Sequence, residues 1–111
     1  MNANDITANE YQRAAMRTAG EDKSEWMENA IYGIIGEAGE IVDLVKKHKW
    51  QGHTLNAEDV AVELGDLLWY CALLSSSINY DFGTVMKMNK RKLEERYPDG
   101  FSKERSINRE K

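Results

Sequence analysis

The chain is poor in several residue types, and each shortage removes a class of protein. It has one cysteine among 111 residues, Cys71, so it forms no internal disulfide and has no CxxC pair for zinc. A reducing cytoplasm is the expected compartment, and Cys71 reads as a small hydrophobe. The one proline leaves long stretches free to be helical. No apolar run approaches the roughly 20 residues of a membrane span. The first ten residues are polar and acidic and do not read as a signal peptide. Positive charge is in deficit, with a formal net charge of −4. That argues against a broad surface for a nucleic-acid polymer, although it leaves room for a small anionic ligand.

What remains is 41% apolar and 31% charged, the composition of a single folded domain with one core. Caps and periodicity predict helices over about 8–19, from after Ser24 to about His48, 57–77, and from after Asp81 to before Pro98. Thr7 with Glu10 forms a capping box, Asn56 precedes the third helix, and Pro98 forbids helix at its predecessor. No segment alternates like a strand. The expected fold is an all-α bundle of four to five helices over residues 1–101, with a charged tail over 102–111. The third helix is apolar on both sides: Val60, Leu64, Leu67, Leu68, Leu74 and Ile78 on one, Val62, Trp69 and Leu73 on the other. Four short helices cannot cover both faces, so a homodimer or homotetramer is expected.

Two acid pairs stand out. Glu37-x-x-Glu40 and Glu63-x-x-Asp66 each place two carboxylates on one helical face, about 5–6 Å apart at Cβ. Glu25-x-x-Glu28 and Glu40-x-x-Asp43 share the spacing, so spacing alone decides nothing. At about 100° per residue, Glu37 falls inside an arc of Ala30, Ile34, Ile41, Leu44 and Val45, with Glu40 at its margin. Glu63 lies between Leu67, Leu74 and Tyr70, with Asp66 at the margin. Glu28 and Asp43 point away. Carboxylates among apolar neighbours need compensation, and the inward faces of these helices carry no basic residue. A metal ion fits best. Oxygen ligands without cysteine or histidine favour Mg²⁺, with Mn²⁺ as a substitute. Di-iron chemistry is set aside because His48 and His53 lack the Glu-x-x-His spacing.

The sequences GEAGE around Glu37 and Glu40, ELGDLLWY around Glu63 and Asp66, and NKRKLEERYPDGF near the end resemble the all-alpha nucleoside triphosphate pyrophosphohydrolases of the MazG type. The resemblance spans about Tyr11 to Phe101. It implies a helical dimer or tetramer that cleaves between the α- and β-phosphates of a ribo- or deoxyribonucleoside triphosphate. By motif, Glu37, Glu40, Glu63 and Asp66 would hold Mg²⁺, with Glu37 or Glu40 as general base. Asn89 becomes substrate-facing. Lys92 and Arg96, one turn apart, are phosphate-binding candidates, with solvated cations as the alternative. Tyr70 is a ligand or core residue. Trp50, read as a loop residue beside Lys49 and His53, serves base stacking or packing. Related phosphoanhydrides such as phosphoribosyl-ATP or alarmone nucleotides are alternative substrates. A non-catalytic helical module, with its acids turned to solvent, is the alternative of another class.

Overall fold

Helix caps set most of the architecture. In a computed structural model, which describes residues 4–108, the elements are α1 (Ala8–Met16), a 3₁₀ turn (Lys23–Glu25), α2 (Trp26–Gln51), α3 (Ala57–Ser77), α4 (Phe82–Arg96) and α5 (Lys103–Asn108). No strand is present among the described residues. The Thr7 hydroxyl accepts from Glu10 N–H, and Asn56 accepts from Glu58 N–H, so both sequence caps are made. A short helix occupies Lys103–Asn108, within the stretch read from sequence as a charged tail. Residues 109–111 of that stretch lie outside the described residues.

The second helix runs three residues beyond its expected end near His48. It stops at Gly52, whose φ of 76° is the left-handed conformation that glycine adopts without strain. His53 N–H then closes onto Lys47 O. Trp50 therefore belongs to the last turn of α2 rather than to a loop.

The α2–α3 hairpin dominates the packing. It is antiparallel, and Tyr70 of α3 packs against Gly33 of α2. A Cβ placed there would sit well inside van der Waals contact with the Tyr70 ring. That ring also meets Trp69 edge-on, with centroids 5.1 Å apart. Helix α1 crosses α3: Trp69 Nε1 donates to Ala15 O at 3.0 Å and to Thr18 Oγ1 at 3.2 Å. Among the described residues, Ala15, Ala30, Ala72 and Leu73 are the buried apolar ones. This is a small core, and much apolar surface is left outside it.

Helix α4 leaves α3 at 98°. It contacts α1 and α3, and none of its residues is buried. No single helix among the described residues is long and apolar enough to cross a membrane.

Gly33→Ala tests the hairpin contact. Helix propensity alone would make alanine stabilising by about 1 kcal/mol. Overpacking against Tyr70 reverses the sign, and a net loss of about 1–3 kcal/mol is expected in urea denaturation. Unchanged or increased stability would show that Tyr70 does not pack there.

Candidate metal centre

The antiparallel register of α2 and α3 sets the acid pairs opposite one another. Carboxylate oxygens of Glu37, Glu63 and Asp66 all lie within 4.8 Å of one another. Glu37 and Glu63 are half-buried, while Asp66 is exposed. Glu40, one turn along α2 from Glu37, is exposed and stands outside this tight group.

Like charges at this separation repel, and the structure shows the response. A side-chain hydrogen bond to Glu37 pushes the Glu63 carboxyl above its ordinary value of 4.5. Partial burial and the charges of Glu37, Asp66 and Asp59 add to the shift. The ion pairs among the described residues, Lys47 with Asp43 and Lys90 with Glu94, involve none of the three acids. Tyr11, from α1, also feels this charge. Burial raises its phenol first, and the negative charges of Asp66 and Cys71 add to the rise.

The donor set suits a hard divalent cation. It offers three anionic oxygens from two rigid helices, no sulfur or nitrogen, and an open side toward solvent. The same three groups at the same distances are a poor structural cluster without a cation, because no basic side chain offsets them. Glu28 and Asp43, the decoys of the spacing argument, are occupied elsewhere. Glu28 accepts from the Tyr32 hydroxyl at 2.7 Å, and Asp43 pairs with Lys47 at 2.8 Å.

The substrate-side candidates are dispersed. Tyr70 packs on Gly33, one helical turn before Glu37. Trp50 lies 13 residues beyond Glu37 on the same helix, or about 20 Å along the axis at 1.5 Å per residue. Its indole is 68% exposed, with the Lys49 ammonium 4.9 Å from the ring centroid. Base stacking there would occur beside the α2–α3 connection, away from Glu37 along the helix. Asn89 lines a cavity of about 750 Å³ between α4 and the following segment, with Val85, Met86, Leu93, Tyr97 and Phe101. Lys92 and Arg96 line a neighbouring cleft of about 1020 Å³ shared with Glu95, Asp99 and Arg105. Neither cavity includes the carboxylate cluster. Two residues beside the site were missed in the sequence. Gly33 had a readable sign, a glycine inside a strong helical pattern. Tyr11 had none, because its place depends on how α1 crosses α3.

Comparison with known proteins bears on the same residues. The MazG nucleotide pyrophosphohydrolase domain model matches residues 26–101. That span holds both acid pairs and α4 but not α1. The chain is also 36% identical over 100 residues to the "Gene 37 protein" of Mycobacterium phage L5, covering 81% of this chain and 88% of that protein. No solved structure matches the chain.

The raised Glu63 gives a signed pH dependence in metal-free protein. The folded chain holds the proton more tightly than the unfolded chain does. The stabilisation is therefore complete below the ordinary glutamate value of 4.5 and is lost as pH rises through the raised folded value. In excess chelator, the wild-type melting temperature should fall over that window more than that of Glu63→Gln. Parallel profiles would refute the raised Glu63 carboxyl.

Proposed function

Because the chain belongs to the MazG nucleotide pyrophosphohydrolase family, we propose that it is a Mg²⁺-dependent nucleoside triphosphate pyrophosphohydrolase. It would cleave the α–β phosphoanhydride to leave a nucleoside monophosphate and pyrophosphate. The observation that carries this reading is the convergence of Glu37, Glu63 and Asp66 within 4.8 Å without a basic partner. Glu37, Glu63 and Asp66 would hold the ion, and Glu40 stands one helical turn from Glu37, outside that group. When bound, Mg²⁺ supplies the positive charge that draws triphosphate oxygens to an acidic site and acidifies a water.

The other roles fall to the chain's own side chains. Glu40, outside the tight group of Glu37, Glu63 and Asp66, is the carboxylate left to take the proton from the attacking water. Lys92 and Arg96, which line a cleft apart from the carboxylates within one chain, would offset phosphate charge, Arg96 with a bidentate fork. The Asn89 amide offers both a donor and an acceptor to the nucleoside. The α2–α3 hairpin keeps its acids fixed, so no reorganisation is needed as charge develops at phosphorus.

The same reading includes a homo-oligomer, with a dimer as the basic unit. Ile35 is 68% exposed, Val62 58%, Leu64 55% and Leu68 43%, on the two helices that carry the acids. Apolar side chains left open on adjoining helices are the signature of a surface that another subunit covers. A second copy supplies a self-complementary surface through a twofold axis.

Pyrophosphate release should be measured over canonical and modified ribo- and deoxyribonucleoside triphosphates, with phosphoribosyl-ATP and an alarmone nucleotide as competing substrates. Activity should require Mg²⁺, with partial replacement by Mn²⁺, and should vanish in excess chelator. Glu63→Gln and Asp66→Asn should each lower kcat/KM by about 100-fold or more, alongside weaker Mn²⁺ binding in calorimetry. Glu40→Gln should lower kcat while Mn²⁺ binding persists. Silence across the panel, or full activity in chelator, would overturn the assignment. Light scattering should give at least twice the monomer mass of 12.7 kDa. Leu68→Glu should shift the protein toward monomer, and a wild-type monomer would refute the oligomer.

A further inference from the structure

Helix α4 does not cap itself. Asp81 occupies its N-cap position but makes no side-chain cap hydrogen bond. The first amides of a helix need acceptors, and here α1 provides them. Gln12 Oε1 accepts from Phe82 N–H at 2.8 Å. Asn9 Oδ1 accepts from Gly83 N–H at 2.8 Å. The Gln12 amide nitrogen also donates to Ser76 Oγ at 3.0 Å and to Tyr80 O at 2.9 Å. One side chain therefore ties together the end of α3, the connecting segment and the start of α4. Gln12 is only 7% exposed, and every hydrogen-bonding position of its amide that is named here is filled within the chain. The connection is tightened further: Ser75 Oγ donates to Tyr80 O at 2.8 Å, and Asn79 takes a φ of 61°. The Tyr11 and Phe82 rings meet at the same junction, 6.5 Å apart.

Beyond this junction α4 has little to hold it. None of its residues is buried, its main contacts are with α1 and α3, and at its far end Arg105 Nε donates to Arg96 O at 2.6 Å. Its direction is thus decided at its root. A small rotation there is multiplied along the helix: Asn89 stands about 10 Å, and Arg96 about 20 Å, from the start of α4 at 1.5 Å per residue. We propose that Gln12 and Asn9 are positioning residues, a latch that fixes the right-angle departure of α4 from α3 and so presents Asn89, Lys92 and Arg96 to the nucleotide. The latch deepens the reading of α4 as substrate-binding and rests on it. Both residues lie on α1, outside the span 26–101 matched by the family model.

Asn9→Leu and Gln12→Met remove the acceptors with little change in side-chain size, and Asn9→Asp keeps the acceptor for Gly83 N–H. Spin labels at Glu58→Cys on α3 and Glu94→Cys on α4, in a Cys71→Ala background diluted with unlabelled protein, report the angle between the helices. The wild-type distance distribution should be narrow. It should broaden in Asn9→Leu and Gln12→Met and stay narrow in Asn9→Asp. In steady-state kinetics, KM for the triphosphate should rise about tenfold in the first two variants with kcat within about twofold. Mn²⁺ affinity should not change, because α2 and α3 hold the acids. A purely structural role would lower the melting temperature and leave both the distances of the folded protein and KM in place, and that result overturns the proposal. So does a broadened distribution with unchanged KM. An inactive wild type would count against the pyrophosphohydrolase reading, and the distance measurement alone would then decide the latch.

Discussion

Three carboxylates held within 4.8 Å by two packed helices raise the free energy of the bare protein, and the rest of the structure is arranged around that strain. The repulsion shows at Glu63, whose carboxyl the neighbouring Glu37 and partial burial hold above its ordinary value. A divalent cation would relieve it. The contact that forces the acids together is apolar. Tyr70 fits against the bare backbone of Gly33, one turn from Glu37, and draws α2 and α3 into close approach. Hydrophobic packing thus brings together groups that electrostatics would separate, and the resulting unfavourable charge density is what a metal ion can use.

Around this hairpin the single chain is thinly covered. Ala15, Ala30, Ala72 and Leu73 make a modest core, while large apolar side chains on α2 and α3 remain open. Helix α4 extends this pattern, since it projects at 98° with no buried residue. Such an element depends on its root more than on its length. The root is polar: Gln12 and Asn9 supply the acceptors that Asp81 does not. The chain therefore divides its labour between an apolar hairpin that holds charge and a hydrogen-bonded junction that gives α4 its direction.

The helices were legible because their signals are local. Thr7, Asn56 and Pro98 act within a few residues, and α3 spans the predicted residues 57–77. The end of α2 was less legible. Lys49, Trp50 and Gln51 continue a helix that only Gly52 stops, and a polar segment there reads equally well as loop. Wheel position ranked Glu37 and Glu63 deeper than Glu40 and Asp66, and that is the order of their burial. The same wheel could not show that Glu40 stands apart from the other three, because that depends on the register between two helices.

The sequence by itself determined the all-helical class, the spacing that puts two acids on each of two faces, and the family resemblance carried by its motifs. These properties depend on the period of a helix and the chemistry of a few neighbouring residues, so they survive in one dimension. Tertiary structure alone decided which three acids meet, and that Tyr70 packs on Gly33. It alone revealed that residues of α1 cap α4. Each of those facts joins positions far apart in the chain, as Gln12 is from Phe82, and no local pattern encodes how two helices align. The three carboxylates that converge between α2 and α3 were named by the sequence as candidates and brought together by the register of the hairpin.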